Sequence, residues 1–430
     1  MQDSQFDVAI IGTGGAGMMA ALTAKKNGLN VACISKVIPT RSHTIAAQGG
    51  INAALGNRDE DDWQYHLYDT VKGGDWLGDQ DAIEFMCKNA SQAINMLEDI
   101  GVNFDRAANG KIDQRLYGGQ SLNFGQGGLA HRACYVADRT GHEILTKLYK
   151  FTKKNNINWY DEFFALDLIF NDDKTQVIGV QCLDINNGVI CNIFAAMVVI
   201  ATGGYGQTYQ TTTSSAICTG DGNAMIMRAG LPLKDMEFIQ FHPTGIYNIG
   251  ILLSEAARSE GAYLLNGQHE RFMHNYAPKY LELASRDVIS RAITQEIQAG
   301  RGAGDNKDYI YLDLRHIKPS IIKEKLPSIL ANIQKFTNLD PLCDLIPVSP
   351  SVHYTMGGIP TNKDCQVLDI NNNIVNGLFA IGEAACMSIH GANRLGCNSL
   401  LEIIIFGMHV GNIAKDHILL YQTKVIDNCP

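Results

Sequence analysis

A small set of basic side chains, each set among glycines or small hydroxyl residues, carries the chemistry open to this sequence. His43 lies in Pro39-Thr40-Arg41-Ser42-His43-Thr44-Ile45-Ala46-Ala47-Gln48-Gly49-Gly50. A histidine in such a loop either bonds its own backbone or serves as an attachment point for a cofactor held just upstream. His242 lies in Gln240-Phe241-His242-Pro243-Thr244-Gly245, and His353 in Val352-His353-Tyr354-Thr355-Met356-Gly357-Gly358. Arg286 heads Ser285-Arg286-Asp287-Val288-Ile289-Ser290-Arg291, and Arg394 lies in His390-Gly391-Ala392-Asn393-Arg394-Leu395-Gly396. Each of these alone reads as structural. Together, two histidines and two arginines in such settings suit a dianion, because guanidinium forks match carboxylates and imidazoles add directed donors. In Ser254-Glu255-Ala256-Ala257-Arg258 the carboxylate and guanidinium are three apart, neighbours on one helical face. On an exposed face such a pair contributes little. No Ser/His/Asp order, metal-ligand cluster or P-loop competes with this set.

The elements that must position these groups read as alternating strands and helices. Phe6–Ile11 is a short apolar strand, followed by Gly12-Thr13-Gly14-Gly15-Ala16-Gly17, a helix-compatible run to Asn27-Gly28, and Val31-Ala32-Cys33-Ile34. In this βαβ setting the glycines allow a tight turn and close approach of backbone to a pyrophosphate at the helix N-terminus. The second strand ends in Ser35-Lys36, where an NAD site would place an acidic residue; this lowers NAD and leaves FAD open. Two later strands also run into small-residue turns, at Ala201-Thr202-Gly203-Gly204 and at Ile381-Gly382-Glu383. Glu383 there either accepts a hydrogen bond from a ribitol or ribose or simply complements a helix N-terminus.

Between these landmarks, Asp59–Gly101 reads as helical, with one helix running through Ile83–Leu97, and Lys111–Gly128 as glycine-rich loops. Thr140–Asn155 reads as a helix, and Asn158–Val189 as strands with hairpins at Asn171-Asp172-Asp173 and Asn186-Asn187-Gly188. The return to a nucleotide-type pattern near Gly377 makes the middle segment an inserted domain. The expected division is 1–237 and 352–430 for a Rossmann-like nucleotide-binding domain of the α/β class, with 238–351 inserted between them.

A chain of 430 residues exceeds one ordinary core. A net charge of −9 with no Lys/Arg cluster argues against nucleic acid. Eleven scattered cysteines without a Cys-x-x-Cys pair suit neither a disulfide framework nor a zinc or iron–sulfur site, and argue for a reducing compartment. No run approaches the about 18 apolar residues of a membrane span, and no signal-peptide or Arg-rich pattern precedes Phe6. Membrane attachment would therefore fall to partner chains.

Taken together, Gly12–Gly17, Arg41–Gly50, Ala201–Gly206, Thr219-Gly220-Asp221-Gly222, Gln240–Gly245, Ser285–Arg291, His353–Pro360 and His390–Leu401 resemble the succinate dehydrogenase/fumarate reductase flavoprotein family along the whole chain. The resemblance implies FAD bonded at its 8α carbon to a ring nitrogen of His43, which raises the flavin's potential towards what succinate oxidation needs. It implies that Arg286 exchanges a proton with substrate, that Glu255 and Arg258 relay it, and that His242, Ser254, His353 and Arg394 bind the dicarboxylate. The implied cofactor positions are Gly12, Gly14, Gly15, Ala16, Gly17, Ser35, Lys36, Ser42, His43, Thr44, Gln48, Gly49, Gly50, Ala165, Thr202, Gly203, Asp221, Glu383, Ser399 and Leu400. The implied fold is a Rossmann-like FAD-binding domain with an inserted α+β capping and substrate domain, and the implied partners are an iron–sulfur subunit and membrane anchor subunits. The implied location is the matrix side of the mitochondrial inner membrane or the cytoplasmic side of a bacterial membrane.

Some positions depart from the family pattern. Ser254 stands where threonine is usual, and Glu402 where aspartate is usual. The chain also ends before the family's C-terminal helical domain, which raises the expectation of a separate chain supplying it. Gln48, where fumarate reductases often carry glutamate, leans towards the dehydrogenase. The alternatives are a fumarate reductase subunit, which shares the site, and a catalytically silent structural flavoprotein. An aspartate oxidase would lack the linking histidine.

Overall fold

The computed structural model describes residues 4–427, with side chains as far as Leu419. At its centre lie five parallel strands in the order Ile374–Ala380, Val189–Ile200, Ser4–Ile11, Val31–Ser35, Asn158–Asp161. Val31–Ser35 is buried throughout, as is the second half of Ser4–Ile11; such runs belong inside a parallel sheet covered on both faces. Side chains alternate across it. Val8, Ile10, Val31 and Cys33 face a helical layer, while Ala9, Ile11, Ala32 and Ile34 face the antiparallel strands Phe163–Phe170 and Val177–Asp184.

The helical layer is built on two helices, Gly15–Lys26 and Asn398–Asp427, which lie against each other. Glycine makes the contact possible: a Cβ at Gly407 would lie 2.9 Å from the Ala16 carbonyl oxygen. Ile11 pairs with Ile34 on one side and Ile200 on the other, and Ile200 pairs with Ala380. The strand ends are thus level, and their glycine-containing turns open along one edge of the sheet. Ligands of open α/β sheets bind in that crevice.

A second sheet is antiparallel, in the order Ile239–Ile246, Ile346–Thr355, Ile310–Asp313, Tyr263–Leu265, with Arg286–Gln298, Pro319–Lys325 and Pro327–Thr337 as helices. It has its own apolar cluster, running in sequence from Ile246 to Val348. Strand Ile346–Thr355 passes straight through the expected boundary at 351–352, because its pairing with Ile239–Ile246 continues to Thr355.

Three local expectations need correction. The stretch read as glycine-rich loops contains strand Gln114–Ser121, paired with Leu129–Cys134, which in turn pairs with Ile51–Asn52. Its glycines sit where neighbours come close: a Cβ at Gly118 would meet the Ala284 carbonyl oxygen at 2.4 Å. The helix expected through Ile83–Leu97 is two, Gln80–Lys88 and Ala90–Asp99, broken at Asn89. The helix expected to reach Asn155 ends at Lys153. Both expected hairpins form. Among the described residues no helix is long and apolar enough to cross a membrane, and no cluster of His, Cys, Asp and Glu could hold a metal ion.

Candidate active site

The sheet edge opens into a continuous cavity of about 1550 Å³, part of it open to solvent, which reaches the second sheet. Its walls bring together nearly all the residues singled out in the sequence. At one end lie Gly12, Gly14, Gly15, Ala16, Ser35, Lys36, Ala165, Thr202, Gly203 and Asp221. In the middle lie Ser42, His43, Thr44, Gln48, Gly49, Gly50, Glu383, Ser399 and Leu400. His242, Ser254, Arg286, His353 and Arg394 line it on the side of the second sheet. Gly17, Glu255 and Arg258 stand outside the lining. Gly17 packs the helix onto its own turn, where a Cβ would lie 1.9 Å from the Gly12 carbonyl oxygen.

His43 opens a short 3-10 turn, His43–Ala46, behind the glycine turn. Thr44 Oγ1 accepts the Gly15 N–H at 3.0 Å and so ties the two turns together. His43 Nδ1 accepts the Ser215 backbone N–H at 3.2 Å, and Nε2 has no hydrogen-bond partner among the described residues. Burial, with the Arg394 charge adding to it, lowers the pKa of His43 to about 4, so the ring is neutral at pH 7. The acidic residue missing after the second strand is supplied across the cavity. Lys36 Nζ meets Asp221 Oδ2 at 2.5 Å, from 185 residues away in sequence.

The two strands that carry His242 and His353 are neighbours, which sets the imidazoles with ring centroids 5.0 Å apart. An irregularity in the pairing on either side of His242 turns its side chain inward while Phe241 stays exposed. His242 Nδ1 faces the Thr244 N–H, and its Nε2 is buried with no hydrogen-bond partner among the described residues. His353 Nδ1 is held by Thr213 Oγ1 at 2.7 Å. Burial, followed by the Arg286 charge, pushes both imidazoles well below the ordinary histidine range.

Arg286 is the first residue of its helix, a place where the helix dipole disfavours a cation. Its Nε donates to Glu255 Oε2 at 3.1 Å and its Nη1 to Gln240 Oε1 at 3.2 Å. Glu255 and Arg258 lie on a short turn, 3.6 Å apart. They are not the exposed pair that sequence alone allowed, being 1% and 2% exposed. Burial would raise the Glu255 pKa, but Arg258, Arg286 and the Gly118 N–H outweigh it and leave the carboxyl lowered. Arg258 is lowered by burial and by Arg286, against the pull of Glu255. Arg394 is brought to about 10 by burial and by Arg286. Arg286 and Arg394 thus line the pocket, with Glu255 and Arg258 paired behind Arg286. That excess of buried positive charge is what a dianion would neutralise.

A family model described as an FAD binding domain matches residues 7–400. The succinate dehydrogenase flavoprotein subunit of Rickettsia felis is 54% identical over 407 residues, covering 94% of this chain and 68% of that protein. The mitochondrial succinate dehydrogenase [ubiquinone] flavoprotein subunit of Oryza sativa subsp. japonica is 53% identical, covering 95% of this chain and 66% of that one. A solved E. coli quinol fumarate reductase superposes with a TM-score of 0.91 at 36% identity, covering 99% of this chain and 74% of its own. This chain belongs to the succinate dehydrogenase/fumarate reductase flavoprotein family. It spans about two thirds of the length of these curated relatives.

The cofactor of this flavoprotein is FAD, and the cavity fits it. The Thr13, Ser42 and Thr202 hydroxyls are buried against the cavity without hydrogen-bond partners among the described residues. Gly12, at φ +101°, gives the open turn that a pyrophosphate needs. Glu383 accepts the Thr355 N–H at 3.1 Å and its hydroxyl at 3.2 Å, while burial lifts its pKa to about 7.

Several supporting residues escaped the sequence reading. Gln240 accepts from Arg286 and donates to the Arg394 carbonyl at 2.6 Å, bridging two substrate-side loops. Thr213 and Ser215 orient His353 and His43. Tyr354 lies beneath Arg394, 4.6 Å from ring centroid to guanidinium. The signals were present in the hydroxyl run Thr211–Ser215 and in the residues beside His242 and His353, but their partners lie far off in sequence.

Proposed function

We propose that this chain oxidises succinate to fumarate as the FAD-bearing subunit of a succinate:quinone oxidoreductase. The observation that carries this reading is the convergence of His242, His353, Arg286 and Arg394 on one cavity, with Glu255 the carboxylate bonded to Arg286. Neutral imidazoles and Arg394, together with Ser254, hold the two carboxylates. Burial of these groups strengthens each contact by excluding water. Oxidation removes one hydrogen as hydride, for which FAD supplies the acceptor when bound, and its neighbour as a proton. The proton falls to Arg286. An arginine ordinarily stays protonated to a pH above about 12, so it serves as a base only where a partner takes the proton onward. Glu255, bonded to Arg286 Nε and beside Arg258, supplies that route.

Electrons then pass to an iron–sulfur subunit, with membrane anchor subunits holding the complex. The location is the matrix side of the mitochondrial inner membrane or the cytoplasmic side of a bacterial one. A solved quinol-fumarate reductase with menaquinol molecules, 38% identical with a TM-score of 0.90, supports the quinone end of this reading. The dehydrogenase direction is favoured over fumarate reduction because the succinate dehydrogenase relatives reach 54% identity, against 39% for the Serratia fumarate reductase flavoprotein subunit.

The test is covalent flavin together with direction. The native complex, run on a denaturing gel in acid, should show a fluorescent band at the mass of this chain. His43→Ser should give a dark band, retain FAD by affinity, keep residual fumarate reduction and lose succinate oxidation. A dark band from fully loaded wild-type protein, or undiminished succinate oxidation by His43→Ser, overturns the reading.

A further inference from the structure

We propose that Glu402 is a positioning residue for the substrate guanidinium of Arg394 and acts through Tyr354. Glu402 is 4% exposed, near the start of the helix Asn398–Asp427, whose residues Ser399 and Leu400 line the cavity. Its Oε2 accepts two hydrogen bonds, from the Tyr354 hydroxyl at 2.8 Å and from His390 Nε2 at 2.8 Å. The Tyr354 ring in turn forms the floor under Arg394. An arginine that stacks on an aromatic face is held in orientation without a carboxylate partner that would compete with substrate.

The other contacts of Arg394 are weak anchors. Nη1 lies 3.2 Å from Ser399 Oγ and 3.5 Å from the Leu395 carbonyl oxygen, and Nε has no hydrogen-bond partner among the described residues. The guanidinium is therefore oriented chiefly by the ring beneath it, and the ring by Glu402. His390 completes the clamp from the loop that carries Arg394, so one carboxylate ties the helix, the Ile346–Thr355 strand and that loop together. This gives a reason for a carboxylate at a position that never touches the cavity. Aspartate would keep the charge on a shorter stem.

The proposal rests on the dicarboxylate reading above, and the assembled FAD-loaded complex tests both. Glu402→Gln keeps the shape but replaces a charged acceptor by a neutral amide oxygen, which weakens both hydrogen bonds. It should raise the succinate KM and the malonate inhibition constant about tenfold, with kcat within about threefold and covalent flavin unchanged. Glu402→Asp should recover most of that affinity. Tyr354→Phe should match Glu402→Gln, and the double variant should be no worse than Tyr354→Phe alone, because both remove one tether. Wild-type affinity in Glu402→Gln, or additive losses in the double variant, overturns the proposal. Malonate perturbation of the flavin absorbance in wild-type complex checks the dicarboxylate site by itself. Its absence sinks the reading and the proposal together, whereas a wild-type response with unaltered Glu402→Gln affinity sinks the proposal alone.

Discussion

The side chains that set this site apart are cations buried with too few anions. Arg286 and Arg258 flank Glu255, and Arg394 feels the charge of Arg286, all four being under one-tenth exposed. Removing one partner from such a buried set typically costs about 3–5 kcal/mol, because the remaining charge loses its compensation. Glu255 is therefore a stability element as well as the proposed relay member, and its variants would confuse the two roles. Arg286 is the cleaner probe. Arg286→Gln keeps a donor beside Glu255 while removing the proposed base. It should leave covalent flavin and malonate binding near wild type while succinate turnover falls by about 10³-fold or more, within the range assigned to general acid–base catalysis. Turnover near wild type in steady-state assays would remove Arg286 from the role of base.

At the scale of elements, the histidine loop is placed by a helix it does not belong to. Gly141, in the first turn of Thr140–Lys153, donates its N–H to the Ala47 carbonyl at 2.7 Å. A Cβ at Gly141 would lie 2.0 Å from the Thr44 carbonyl oxygen and 2.8 Å from Ala47 Cβ. No real contact is that short, so Gly141→Ala must push the His43–Ala46 turn towards the cavity. The ring and its Ser215 contact move with it. We expect that variant to fold, to bind FAD less well, and to show a clearly reduced fraction of covalent flavin by acid-gel fluorescence. Wild-type flavin content would mean that the loop relaxes without moving the histidine. The same dependence on neighbours holds on the other side, where the irregular pairing at His242 and the end of strand Ile346–Thr355 set the two imidazoles.

For the molecule as a whole, buried histidines make acid the destabilising direction. Burial, with Arg132 adding to it, lowers the pKa of His66 to about 3, and burial lowers that of His417 to about 4. His242 and His353 are lowered by burial and by Arg286. Unfolded, each would titrate near about 6.5. Below that pH the unfolded chain binds more protons than the folded one, so stability is full above it and falls as pH drops. The slope is at most about 1.4 kcal/mol per pH unit for each histidine. Glu383, raised to about 7 by burial, works with the opposite sign, losing stability as pH rises towards and through that value. Over pH 5–7 these four histidines outweigh Glu383. The urea midpoint of the FAD-loaded protein should fall between pH 7 and pH 5; a midpoint that rises over that interval would contradict this balance.

The first strand, glycine turn and helix were legible in the sequence, as were the hairpins and the glycine-flanked cations. Apolar runs, turn residues and periodicity act over a few positions and need no distant partner. The same locality explains the errors. The stretch from Lys111 to Gly128 looked like loops because its glycines suggest turns, yet Gly118 lies in a strand and admits the neighbouring Ala284 backbone. Glu255 and Arg258 at helical spacing looked like a surface pair, and only packing against Gly118, Glu282 and Arg286 buries them. The missing acid after Ser35-Lys36 argued against NAD, whereas the Asp221 carboxylate beside Lys36, 185 residues on, became visible only in the fold. Residue types alone therefore pointed to a nucleotide cofactor and suggested a site for a dianion. Tertiary structure decided which cations are buried, which nitrogen of each histidine is left for a ligand, and what holds Arg394 in place. Those depend on neighbours tens to hundreds of residues away, whose arrival is set by the burial of two sheets rather than by any local signal.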